Sequence, residues 1–134
     1  MNHARNAAGF TLIELIIVAA MIATLAALAL PAYRMHTAKA DIGNAIGSLA
    51  GEKIKVGENH ASGTAPCLRV ATNLGASGRC LDGVLTGVSV SGRSLVTLTP
   101  DLGSATAGKR IDWTCAVVTS IDGRFDGQSC DALN

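Results

Sequence analysis

The chain has almost no surplus of charge. Its 134 residues carry 11 basic and 10 acidic side chains, for a formal charge of +1. The basic residues are also dispersed: Arg69, Arg79, Arg93, Lys109, Arg110 and Arg124 fall in different segments, and only Lys109 and Arg110 are adjacent. A nucleic-acid-binding protein needs a basic stripe or surplus, so that class loses its main support. Histidine is scarce, at positions 3, 36 and 60 only, whereas a triad needs a histidine orienting a nucleophile on a rigid scaffold. The glycine-rich tracts match neither a P-loop nor a dinucleotide fingerprint. The four cysteines, Cys67, Cys80, Cys115 and Cys130, lack the Cys-x-x-Cys spacing of a zinc ribbon or thioredoxin-like motif. No metal or other cofactor follows from these patterns, and the chain reads as a structural protein, not an enzyme.

What the sequence does have is one long apolar run. After a short leader with Arg5, ending at Gly9, comes Phe10-Thr11-Leu12-Ile13-Glu14-Leu15, then apolar residues to Leu30 before Pro31. About 20 residues rising 1.5 Å each span roughly 30 Å, the thickness of a bilayer's hydrocarbon core. A cleaved secretory signal is one reading, with Ala27-Leu28-Ala29 as the small-residue cut and Arg5 as the positive flank. Against it stand Glu14 inside the apolar run, Pro31 just behind the cut, and a run longer than the usual 7 to 15 residues. A plain single-span anchor accounts for everything except Gly9 and Glu14. A carboxylate at bilayer depth costs roughly 2.5 to 3.5 kcal/mol on insertion scales and requires a named partner.

Gly9 followed by Phe10-Thr11-Leu12-Ile13-Glu14, behind a basic leader and ahead of an apolar helix, resembles the class III signal of type IV pilins and pseudopilins. The resemblance implies that a prepilin peptidase cuts between Gly9 and Phe10 and that the new amino group of Phe10 is methylated. It further implies that Glu14 neutralises the N-terminal ammonium of a neighbouring subunit. A buried acid is tolerated beside an opposite charge, and breaking such a pair typically costs about 3 to 5 kcal/mol. Removing the leader takes Arg5 with it, leaving 10 basic and 10 acidic side chains.

An even number of cysteines downstream of an export segment reads as disulfides, and four cysteines allow three pairings that the sequence alone leaves open. The resemblance chooses among them. Ile111-Asp112-Trp113-Thr114-Cys115, with Cys130 close to the C-terminus, is similar to the last core strand and disulfide-closed loop of type IV pilins. That implies Cys115 with Cys130 and leaves Cys67 with Cys80. Each pair closes a loop of about 15 residues, worth roughly 3 kcal/mol in the chain-entropy model.

The expected fold is α+β: a long N-terminal helix, membrane-spanning and then amphipathic, packed on a small antiparallel sheet. Residues 1–9 form the leader, 10–31 the transmembrane and polymerisation helix, and 32–134 the globular head. Met35, Ala38, Ile42, Ala45, Ile46, Leu49 and Val56 recur at helical spacing, so the helix is expected to reach about Lys55 and stop at Gly57. Gly43, Gly47 and Gly51 lie four apart, a stripe that permits close backbone approach either to the domain's own sheet or to another subunit's helix; the sheet is the expected partner, because Ile42, Ile46 and Leu49 need it for burial. A connecting loop follows over 58–82. Strands are expected at 83–91 and 94–99, joined by a turn at Ser91-Gly92-Arg93, with a third over 110–118. Ile111, Trp113, Cys115 and Val117 should face the core. Residues 101–108 form an exposed connection and 119–129 a loop.

Asp122 and Asp126 in that last loop invite a calcium reading, which the spacing and the charge of Arg124 weaken. Phe125 either marks a contact surface or plugs its own loop. The function implied is a subunit of a type IV pilus serving adhesion, twitching motility or DNA uptake. It is expected first in the inner membrane and then in an extracellular filament, with related subunits, the peptidase and the inner-membrane assembly machinery as partners. A type II secretion pseudopilin and a DNA-binding minor pilin are the alternatives, the second unsupported by the neutral charge.

Overall fold

The computed structural model describes residues 9–71, 79–103 and 110–133, which leaves Arg5 and Lys109 outside. Helix α1 (Leu12–Ser48) runs through Pro31, α2 (Ala50–Ala61) follows after Leu49, and the strands are β1 (Arg79–Leu81), β2 (Val84–Val88), β3 (Leu95–Pro100) and β4 (Trp113–Thr119). A short 3-10 helix, Cys130–Leu133, closes the described chain. Contacts divide it into two compact units, Met1–Met35 and His36–Asn134.

The second unit has a single core. Its helical contribution comes from Ala38, Ile42, Ala45, Leu49, Glu52 and Val56, all buried. Their spacing of alternating four and three residues keeps one face inward across the helix break. The strands form a meander in the order β1-β2-β3-β4, every neighbour antiparallel. Leu85 faces Leu98, Gly87 faces Val96 and Val96 faces Val117 across the strands, so Leu85, Val96, Leu98 and Val117 share the buried face. Each fully buried aliphatic side chain contributes about 1.5 to 3 kcal/mol. Val84, Thr86 and Val88 alternate onto the other, half-exposed face, as the period of two requires.

Several expectations are corrected. The helix does not end at Gly57, which lies inside α2 beside the Ile111 side chain. It ends at Ala61, where Gly63 has φ +68°, donates to the carbonyl of His60, and is followed by Thr64 donating to Asn59. These two bonds and a left-handed glycine are a Schellman cap; Gly57 has no left-handed turn to supply. The stripe of Gly43, Gly47 and Gly51 does not approach the sheet either. All three are exposed, with open space where a Cβ would stand, because the neighbouring positions 42, 45 and 49 already fill the inward face. The glycine that permits close approach is Gly87 on β2, where an added Cβ would lie 2.7 Å from Leu49 Cγ.

The 58–82 region is more structured than expected: α2 takes its first four residues, β1 its end, and residues 72–78 lie outside the described set. The first and third expected strands shorten to Val84–Val88 and Trp113–Thr119, the middle one covers Leu95–Pro100, and residues 104–108 of the expected connection are not described.

Candidate functional site

At the start of α1, Thr11 is followed three positions later by Glu14, the spacing of a capping box. The Glu14 amide meets Thr11 Oγ1 at 3.4 Å, and Thr11 Oγ1 in turn donates to Glu14 Oε2 at 3.5 Å. Both contacts are long, so Thr11 caps the helix only loosely. The position suits a carboxylate, since the N-terminal end of a helix carries partial positive charge. Its surroundings do not. Leu12, Ile13, Leu15, Ile16 and their successors are exposed, as are Gly9 and Phe10, the latter 77 %. The span is long and apolar enough to cross a membrane, and its apolar window is wholly unburied within the chain. Thr24 returns its hydroxyl to the carbonyl of Met21 at 2.8 Å, leaving the rod's surface with few open polar groups. Glu14 is thus an acid on an apolar rod, and among the described residues it has a hydroxyl but no cation.

The cysteines pair as Cys67 with Cys80 and Cys115 with Cys130, their Cα atoms 5.7 and 5.3 Å apart. The second bridge joins β4 to the start of the 3-10 helix. It closes a loop that also pairs Ala116 with Ser129 and exchanges bonds between Val117 and residues 127 and 128. Phe125 is buried to 6 % exposure, so it plugs this loop. Asp126 Oδ1 accepts from both the amide and the hydroxyl of Ser120, at 2.6 and 2.8 Å, while Asp122 accepts from the Arg124 amide and pairs with its guanidinium. Those carboxylates are engaged in holding the turn, and no group of three metal-capable side chains occurs among the described residues. His36 lies in α1 and His60 in α2, and all four cysteines are bridged.

Two acids that the sequence did not flag anchor loops to the helices. Glu52 is buried, yet its Oε1 takes Lys55 Nζ at 2.9 Å and its Oε2 takes the Ala71 amide at 2.8 Å. Burial alone would raise its pKa; the bonds from Lys55 and Ala71 and the Lys55 charge outweigh that and bring it below the ordinary 4.5. Asp41 accepts from Ser91 Oγ at 3.0 Å, and Ser91 and Ser89 hydroxyls meet at 3.0 Å. Burial pushes Asp41 up, and the hydroxyls of Ser94, Ser91 and Ser89 with the charge of Arg93 bring it below 3.8. The Ser94 Oγ is buried beside it without a hydrogen bond of good geometry. The sequence signal for Glu52 was an acid at an otherwise apolar helical position; Asp41, beside the inward face, carried none.

A family model described as the prokaryotic N-terminal methylation motif matches residues 4–30. Fimbrial protein Q of Moraxella bovis is 36% identical over 121 residues, covering 83% of this chain and 76% of that protein. Fimbrial protein EcpC of Eikenella corrodens is 34% identical over 122 residues, 87% of this chain and 78% of its own length. A type IV major pilin protein, PilE1 of Neisseria gonorrhoeae, is 54% identical over 50 residues, 37% of this chain and 30% of that protein. No solved structure matches the chain significantly.

Proposed function

The chain belongs to the type IV pilin family, and from that membership we propose how it is processed and assembled as a pilus subunit. A prepilin peptidase removes residues 1–9 by cutting between Gly9 and Phe10, and the freed amino group of Phe10 is methylated. Residues 10–31 hold the prepilin in the inner membrane and later pack into the filament core, while 32–134 form the outward head. Glu14 pairs there with the terminal ammonium of a neighbour. The observation that carries this reading is Glu14 itself, an acid at the head of a bare apolar helix with no cation among the described residues. Transfer from lipid to a packed helical core exchanges one apolar surrounding for another, so apolar burial supplies little register. One charge pair in that medium does, because leaving either partner alone is expensive. The filament would serve adhesion, twitching motility or DNA uptake.

Intact mass spectrometry of sheared cell-surface material, before and after reduction with alkylation, tests this. The expected mass is that of residues 10–134 plus one methyl group, with four thiols appearing only on reduction. A mass that retains residues 1–9, or begins near Leu30, would refute it.

A further inference from the structure

The head carries two features of complementary shape and charge, at opposite lateral edges of its sheet. Along edge strand β4 lies an open groove of about 520 Å³ lined by Ala50, Lys53, Ile54, Gly57, Ile111 and Trp113. Its walls are mostly apolar, Ile54 remains 65% exposed, and Lys53 Nζ sits 5.1 Å from the centroid of the Trp113 ring. That cation–π contact holds an ammonium at the groove.

The other edge strand, β1, ends in Leu81, also 65% exposed, followed by the exposed Asp82. Asp82 has φ +49°, a left-handed conformation that aspartate adopts more readily than most residues. The turn is held from both sides. Cys80 is bridged to Cys67, the Gly83 amide donates to Cys67 Sγ at 3.2 Å, and buried Gly83 is packed beneath Pro66, Pro100 and Leu102. An apolar knob with an adjacent carboxylate therefore stands on a tied-down turn, which lowers the ordering cost of a contact.

We propose that Leu81 of one subunit seats in the Lys53–Ile54–Trp113 groove of a neighbouring copy, with Asp82 facing Lys53. The contact rests on the pilus-subunit reading above. Each head offers one knob and one groove on different patches, so the contact is heterologous and propagates along a polymer instead of closing a dimer. It supplements helix packing, since one side chain in one groove falls well short of the roughly 1,200 Å² that a stable free-standing interface buries. It also gives the Cys67–Cys80 bridge a task, which is to fix the knob.

The test places a photo-crosslinking benzoylphenylalanine at position 81 of the full chain, irradiates sheared surface filaments, and maps the joined peptides. The expected product links position 81 to residues 50–57 or 111–113 of a second copy. The reciprocal probe at position 54 should reach residues 79–83. Lys53→Glu and Asp82→Lys should each lower sheared-filament yield about tenfold at low salt, as a like-charge contact predicts, and the two together should restore it. Cross-links confined to other peptides, no cross-link in intact filaments, or no rescue by the double exchange overturns the contact while leaving the subunit reading in place. Absence of the unmodified chain from surface filaments would instead overturn that reading.

Discussion

Gly87→Ala adds one methyl group at the most crowded glycine among the described residues. The new Cβ would stand 2.7 Å from Leu49 Cγ and 2.8 and 2.9 Å from its two methyl carbons, whereas carbon atoms rest about 3.5 to 4.0 Å apart. Leu49 is fully buried at the junction of α1 and α2, so it yields only by moving the helix break or leaving its rotamer. Overpacking of this kind costs about 1 to 3 kcal/mol. Leu49→Ala should cost about 2 to 5 kcal/mol through lost burial and the cavity left behind. In the double variant the methyl at position 87 occupies part of that cavity, so its loss should fall short of the sum of the two by about 0.5 to 3 kcal/mol.

The same substitution at Gly43 should have the opposite sign. Nothing lies within 4 Å of a Cβ there, and alanine is favoured over glycine in a helix interior by about 0.5 to 1 kcal/mol. Trp113 is the only tryptophan and lies in β4, which makes its fluorescence a reporter of head unfolding for the full chain in detergent. For a head of this size 1 kcal/mol moves Tm by roughly 4 to 8 °C. If Gly87→Ala and Gly43→Ala shifted Tm alike, or if the Leu49 and Gly87 losses simply added, the packing argument would be wrong.

Three further predictions follow from the anchors and the proposed pairing of Glu14. Glu14→Val should still insert in the membrane and leave head Tm unchanged, yet yield few sheared surface filaments; normal filament yield would sink the pairing. Glu52 and Asp41 have folded pKa values below their ordinary 4.5 and 3.8, so their stabilisation is complete above those values and is lost as pH falls through the lowered ones. Hydrogen-exchange protection of the Ala71 amide should therefore drop on acidification below about pH 4.5, and Glu52→Gln should lower it at neutral pH and flatten the profile; unchanged protection would dissociate Glu52 from the loop. Replacing Cys115 and Cys130 by serine removes a bridge of sequence separation 15, for a loss of roughly 3 kcal/mol in the chain-entropy model, and an unaltered Tm would refute that role.

How much was legible in the sequence depended on how local each cause is. The terminal motif is contiguous, so Gly9, Phe10, Thr11 and Glu14 could be singled out without a fold. Alternation placed Leu85, Gly87 and Ser89 on one face of the strand expected over 83–91, and the structure keeps all three buried although β2 ends at Val88. The helix break at Leu49 had no such marker, because leucine favours helix and the interruption coincides with its seat over Gly87, a residue 38 positions away. The glycines were misread for the same reason. Spacing groups Gly43, Gly47 and Gly51 on one face but does not say which partner that face meets, and Gly57 and Gly63 differ as helix stops only through backbone conformation. The groove and its knob depend on which residues tertiary structure brings together, as Lys53 with Trp113 and Gly83 with Pro66, so no window of sequence could display them.

The distribution of burial separates two kinds of selection on one chain. Every buried side chain among the described residues lies at Ala38 or later, while Phe10 through Leu30 are exposed throughout. On the reading proposed above, the composition of this apolar segment answers to lipid and to other copies. The buried residues of the head all belong to the second unit. On the pairing proposed above, Glu14 at the start of α1 and Leu49 just beyond its end report on different equilibria, assembly in the first case and folding in the second. Distant sites with no shared partners act independently, which is why a loss of filaments at unchanged head Tm is the signature that distinguishes an assembly residue here from a structural one.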